Sequence, residues 1–303
     1  MLIKLATFTL ISLITLQQDI EIRPKLAAGD KFRLDVARVR SDSSRPQMNA
    51  TGRTPIHVEV ISAGATGYVL DWIPGDTEFD NPQLAQDPTI AAVSEVAKGL
   101  RYRIGLNADG EFTGLLNEAE IRPKLQTMVA AITKEFSGRL PANQRKSFED
   151  MMAQILSPAV VIASATRDAQ IYLGLNGAAL APGETASANL EQANPFGGAP
   201  IPATFNVRMD SATATSASLT TTMNYDKNAL TKMTVDLAQR AGAPVRPEEL
   251  AKLPPMQMTD EGKYEFDRAL GLMRKLTISR RVSVDKLERV DGWTITLVEA
   301  PKR

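Results

Sequence analysis

His57 is the single histidine of the chain, so any Ser–His–Asp triad would have to use it. It lies between Ile56 and Val58, where Ile56, Val58 and Val60 alternate with polar residues. That period puts His57 and Glu59 on the face opposite the apolar side chains. No Gly-x-Ser-x-Gly nucleophile elbow accompanies it. A solvent-facing or edge histidine is the expectation. Carboxylates offer a second chemistry. Asp71 beside Trp72, followed by Asp76, Glu78 and Asp80, is the most glycosidase-like neighbourhood. Hydrolysis there needs two carboxyls about 5–10 Å apart, which sequence spacing does not establish. A solvated acidic loop after a strand is the simpler expectation. Asn107-Ala108-Asp109-Gly110-Glu111 is similar to the start of a calcium loop, but its flanks alternate like strands, so Asp109-Gly110 reads as a hairpin turn. Arg274 and Arg280 share one parity, while Lys275 and Arg281 share the other. The basic charge is thereby split between faces, without the interleaved aromatics of a nucleic-acid surface. No P-loop, dinucleotide glycine motif or His-Glu-x-x-His helix occurs. The reading therefore assigns no catalytic residue, no metal ligand and no cofactor, and expects a non-enzymatic protein.

Composition narrows the field in the same direction. Cysteine is absent, which excludes disulfides, thiol nucleophiles, Cys-based zinc sites and a cysteine-linked lipid anchor. Lys plus Arg and Asp plus Glu both number 35, so no global field draws the chain to nucleic acid or an anionic membrane. The apolar share of 43% is enough for a substantial core.

The apolar alternation is the richer signal. Tyr68, Trp72, Tyr102, Ile104, Tyr264 and Phe266 are expected on one concave sheet face, as candidates for binding an apolar ligand. Leu70, Phe205, Val207 and Met209 extend the same face. The alternative is that these side chains form a filled core. The 11 methionines would suit an irregular apolar surface.

Lys4 and the apolar run Leu5–Leu16 resemble a signal peptide over residues 1–18. Residues 19–173 form an N-terminal half of strands plus two or three helices. Phe32, Leu34 and Val36 mark one strand, Ile56 to Val60 a second, and Tyr68 to Trp72 a third, with Ser41 to Thr54 expected as a long loop or hairpin tip. A helix follows Asp87, and Leu100 to Leu106 pairs with a strand opened by Phe112. Asn117 with Glu120 reads as a capping box for a helix bearing Ile121, Leu125, Val129, Ile132 and Phe136, and a second helix carries Phe148 and Met152. Residues 174–200, rich in Gly, Ala, Pro and Asn, read as a connection. Residues 201–303 form a C-terminal half, sharing one continuous sheet with the first. Asp291-Gly292 reads as its last turn, before a strand from Trp293. Each half runs strand–strand–helix–strand–strand, which suggests a duplication. The word EIRPKL occurs twice, at Glu21–Leu26 before a strand and at Glu120–Leu125 within a helix.

The export segment, Ala28-Gly29-Asp30-Lys31-Phe32, Tyr102-Arg103-Ile104 before Asp109-Gly110, and Asn194-Pro195-Phe196-Gly197-Gly198 give an order that resembles an uncharacterised family of exported bacterial envelope proteins. More distantly it is similar to the LolA and LolB group of periplasmic lipoprotein carriers. That resemblance implies an α+β fold: a curved, mainly antiparallel, half-barrel-like sheet with helices on its concave face and two similar halves. It implies residence in the periplasm or cell envelope. Three functions stand open: binding of an apolar small molecule, lipid or envelope protein on the concave face; a structural or interaction module with a filled core; and a carboxylate-dependent hydrolase. No nucleic-acid partner and no membrane span in the mature chain are expected.

Overall fold

A computed structural model describes residues 19–87, 90–91, 99–192, 194, 198–240 and 254–301. The segment read as a signal peptide lies outside the described residues, as do most of the helix after Asp87 and of the Asn194–Gly198 motif. Alternating side chains build the long strands. β1 is Ile20–Glu21, β2 Lys31–Asp42, β3 Ala50–Gly64, β4 Gly67–Pro74 and β5 Glu78–Phe79. β6 (Tyr102–Leu106) and β7 (Phe112–Leu115) form the expected hairpin. Then come β8 (Ala179–Leu180), β9 (Thr185–Gln192), β10 (Ile201–Ala212), β11 (Ser216–Tyr225), β12 (Gln257–Asp267), β13 (Leu272–Val284) and β14 (Leu287–Glu299). The helices are α1 (Pro82–Ala85), α2 (Glu118–Gly138), α3 (Ala142–Ile155), α4 (Pro158–Ala165), α5 (Arg167–Leu173) and α6 (Lys227–Arg240).

Twelve strands make one curved antiparallel sheet in the order β7-β6-β4-β3-β2-β14-β13-β12-β11-β10-β9, with β5 added beside β3. The sheet is not closed into a barrel. The two halves join where the first long strand meets the last: Val36 lies opposite Ile295, and Leu34 opposite Leu297. The face bearing Phe32, Leu34, Val36, Ile56, Val58 and Val60 is buried. The other face presents Lys31, Arg53 and His57 to solvent, the arrangement antiparallel sheets allow. Helices α2, α4 and α5 cover the buried face of the N-terminal half, α3 packs on α2, and α6 covers β10 and β12 through Leu230. No helix among the described residues is long and apolar enough to cross a membrane.

Several local expectations are corrected. Of the two readings of Ser41 to Thr54 the hairpin tip holds, but the tip is shorter: β2 runs to Asp42 and β3 starts at Ala50, with one 3-10 turn at Pro46–Met48 between them. The ladder continues through polar residues because its bonds are backbone bonds, while the face there borders a cleft rather than the apolar core. Asp291-Gly292 is not a turn but the middle of β14, paired with Arg280-Ser279 and Arg40-Val39. The turn falls at Asp285-Lys286, where Asp285 takes φ 54°, a conformation Asp tolerates. Asn117 stands at the N-cap of α2 and its side chain reaches Glu120 at 3.3 Å, but it makes no capping bond to the helix amides. Its side chain accepts from the Arg103 amide at 2.9 Å and donates to the Arg101 carbonyl at 2.9 Å, pinning the helix start to β6. Residues 174–200 contain β8 and the edge strand β9.

A candidate apolar cleft between sheet and helices

Register places all six candidate side chains on the helix-covered face. Trp72 lies opposite Tyr102, Leu70 opposite Ile104, and Tyr68 opposite Leu106. In the other half, Tyr264 is opposite Leu276, which is opposite Ile295, which is opposite Val36. Directly opposed residues point to the same side. All six pack in or against one buried cluster, and four of them do not line the cleft between sheet and helices. Ile104, Tyr264 and Phe266 belong to one cluster with Ile22, Ile121, Tyr172 and Leu173. Tyr68 is half-buried, and its hydroxyl donates to the Pro24 carbonyl at 2.9 Å. The Tyr172 hydroxyl donates to the Met273 carbonyl at 2.8 Å, and burial raises that phenol's pKa far above the usual range. This end of the concavity is filled.

Trp72 and Tyr102 belong to the same buried cluster but also border open space. They line a cleft of about 780 Å³ between the sheet and the helices. Its sheet wall is completed by Thr54, Gly52, Arg38 and Trp293. Leu125, Met128, Val129 and Ile132 of α2 and Val161 and Ala165 of α4 form the opposite wall. Burial pushes the Tyr102 phenol up to about 12, so it stays neutral. Both tryptophans of the chain therefore touch this one space. Leu125, Val129, Leu156 and Val161 also line an outer groove of about 480 Å³, so the helical wall is one side chain thick.

No family model matches this chain, and no curated protein matches it. A solved structure concerning lipid–protein interactions in lipovitellin is similar to 92% of this chain and 26% of that chain, at 10% identity and a TM-score of 0.43. The chain thus spans about a quarter of that protein's length, and a likeness this distant carries no argument.

The end of the cleft at Trp293 is polar. Arg38 forms a two-nitrogen ion pair with Asp168 of α5. Arg40 and Arg289 share Asp291, at 3.1 and 2.9 Å. Next along the sheet, Arg280 holds both Asp260 oxygens at 2.7 and 2.6 Å and donates to the Tyr225 hydroxyl at 2.7 Å. The Arg167 guanidinium lies over the Trp293 ring, 4.3 Å from its centroid. The parity of Phe32, Leu34 and Val36 continues to Arg38 and Arg40, which was the available signal for this cluster. Arg274 and Arg280 do not share a face, because a bulge opposite Glu265/Phe266 turns Arg274 outward.

The other sequence candidates do not converge. His57 is exposed on β3. Asp71 is fully buried on the face opposite Trp72, where Arg103 grips both its oxygens at 2.9 and 3.2 Å and Arg101 adds a bond of 2.8 Å. Burial would raise its pKa, and those hydrogen bonds outweigh burial, holding the carboxyl below its usual range. Asp76 lines the cleft on the other side of the sheet, and Asp80 accepts from the Thr51 amide at 2.7 Å. The Asn107 side chain accepts from the Asp109 and Glu111 amides, as in a turn.

Proposed function

We propose that this protein binds an apolar molecule in the cleft between α2, α4 and the sheet, and that it does so as an exported protein of the periplasm or cell envelope. The cleft carries the reading. Its volume of about 780 Å³ suits a small ligand, since ligand pockets span about 300–1,000 Å³. Its walls are aromatic and aliphatic around a few placed polar groups, the composition such pockets use. The filled-core alternative describes the Tyr68, Ile104, Tyr264 and Phe266 end, and Trp72 and Tyr102 join that packed cluster while also bordering the cleft. The hydrolase alternative has little support, because Asp71 and Asp76 lie on opposite faces.

Native mass spectrometry of the purified protein tests the binding. A copurified or added apolar molecule should appear as a mass increment that vanishes on denaturation. Bare protein at every ligand concentration would oppose the reading. Export rests on Lys4 and the Leu5–Leu16 run. Fractionation with N-terminal sequencing checks it, and an intact Met1 on a cytoplasmic species would contradict it.

A further inference from the structure

Arg167 differs from its neighbours on the concave face. Arg38, Arg40, Arg280 and Arg289 each have a carboxylate partner. The Arg167 side chain makes no hydrogen bond or ion pair with any described residue and is held by stacking on Trp293. It is half-buried. Burial, and then the charge of Arg280, act against its own charge, which Asp260, Asp168 and Asp291 offset only in part. A guanidinium does not release its proton at ordinary pH, so the site is left cationic. A guanidinium carries five N–H donors in a planar fork that matches a carboxylate or phosphate edge. Stacking occupies the face of the fork and leaves its edge donors available. The carboxylates around it are engaged elsewhere, so an incoming anion breaks no existing pair.

The cleft is asymmetric along the sheet. From Trp293 the register passes to Arg38, then Gly52, then Phe79. Three strand spacings amount to about 14 Å. Asp76 lies beyond that far side, whereas the two carboxylates that line the cleft beside Trp293, Asp168 and Asp291, are neutralised by Arg38, Arg40 and Arg289, and Arg167 adjoins the cleft through the Trp293 ring. Between Asp76 and Trp293 lies the apolar stretch bounded by Trp72, Leu125 and Val129.

We propose that the cleft takes an anionic single-chain amphiphile, with its head on Arg167 above Trp293 and its alkyl tail between Trp72 and α2. This rests on the cleft reading above and names its ligand class. A carboxylate head and a phosphate head share the required chemistry.

Isothermal titration of the full chain with dodecanoate, dodecyl phosphate, dodecan-1-ol and acetate separates the contributions. Either anionic amphiphile should bind about tenfold tighter than the alcohol, as a charge-assisted hydrogen bond allows. Acetate should show no measurable binding, because it lacks the tail. Arg167→Gln should weaken the anionic ligands about tenfold and leave the alcohol within twofold. Arg167→Lys, which keeps the charge, should retain part of the preference and serves if the first variant folds poorly. Equal binding of dodecanoate and dodecan-1-ol to the native protein would overturn the inference while leaving the cleft reading intact. An undiminished preference in folded Arg167→Gln would do the same. Failure of every long-chain ligand to bind would end both.

Discussion

Gly110 and Gly271 sit in turns of opposite halves of the sheet, and both receive the same crossing segment. A Cβ on Gly110 would lie 2.3 Å from Pro24 Cδ, and one on Gly271 would lie 2.2 Å from the Arg23 carbonyl oxygen. Both glycines have positive φ, at 84° and 68°. The segment Ile20–Leu26 therefore straps the filled end of the concavity from the β6–β7 turn to the β12–β13 turn. It is fixed by bonds from the Ile22 amide to Ala178, from the Lys25 amide to Leu270, and by the Arg23–Asp109 ion pair.

Gly271→Ala should lift that strap. Backbone strain and the close approach to Arg23 should together cost about 1–3 kcal/mol. Hydrogen exchange at the Ile22 and Lys25 amides should accelerate more than exchange in β2. Unchanged protection would show that the strap does not depend on the turn.

Phe266→Ala should destabilise the fold more than Trp72→Ala. Phe266 packs at the filled end, so its removal leaves a new cavity and costs about 3–5 kcal/mol. Trp72 is equally buried but has the existing cleft on one side and Tyr172 on the other, ring centroids 6.1 Å apart. Its removal adds to a space already present and loses fewer contacts. Urea unfolding of both variants gives the order, and the reverse order would argue that the cleft beside Trp72 is packed.

Asp71→Asn should destabilise at neutral pH by about 1–3 kcal/mol, the scale of hydrogen bonds to a charged group. Arg101 and Arg103 are nearly half exposed and can turn to water, which limits the loss. The folded carboxyl titrates below its unfolded value of about 3.9. Its contribution is thus fully present above about pH 4 and is lost as pH falls through the folded value. The stability gap between native protein and variant should narrow on acidification below about pH 4. A gap independent of pH down to full acid unfolding would contradict this assignment.

The strand faces were legible because alternation at Phe32 to Val36, Ile56 to Val60 and Tyr68 to Trp72 reflects one buried face and one solvated face. Their union into a single sheet follows from the Val36–Ile295 seam, a pairing between chain ends that no local pattern carries. The cleft was half legible. Trp72 and Tyr102 were read by parity, whereas Trp293 and the helical wall depend on how α2 and α4 dock. The polar end went unread because Arg38 and Arg40 look like surface charge until Asp168 and Asp291 are brought to them. Glu21–Leu26 and Glu120–Leu125 show the same limit. The identical words form a strap and a helix, yet Ile22, Leu26, Ile121 and Leu125 are all buried. The word sets which side chains seek the core, and its surroundings set the backbone that takes them there.

Trp72 and Trp293 are the chain's only tryptophans and both line the cleft, so intrinsic fluorescence reports on it directly. The decisive measurement is a titration with dodecan-1-ol, in parallel on the native protein and on Ala165→Phe, which fills the cleft from α4. The account predicts a saturable blue shift in the native protein and at least a tenfold loss of affinity in the folded variant. No saturable change in the native protein, or equal affinity in both, would contradict it.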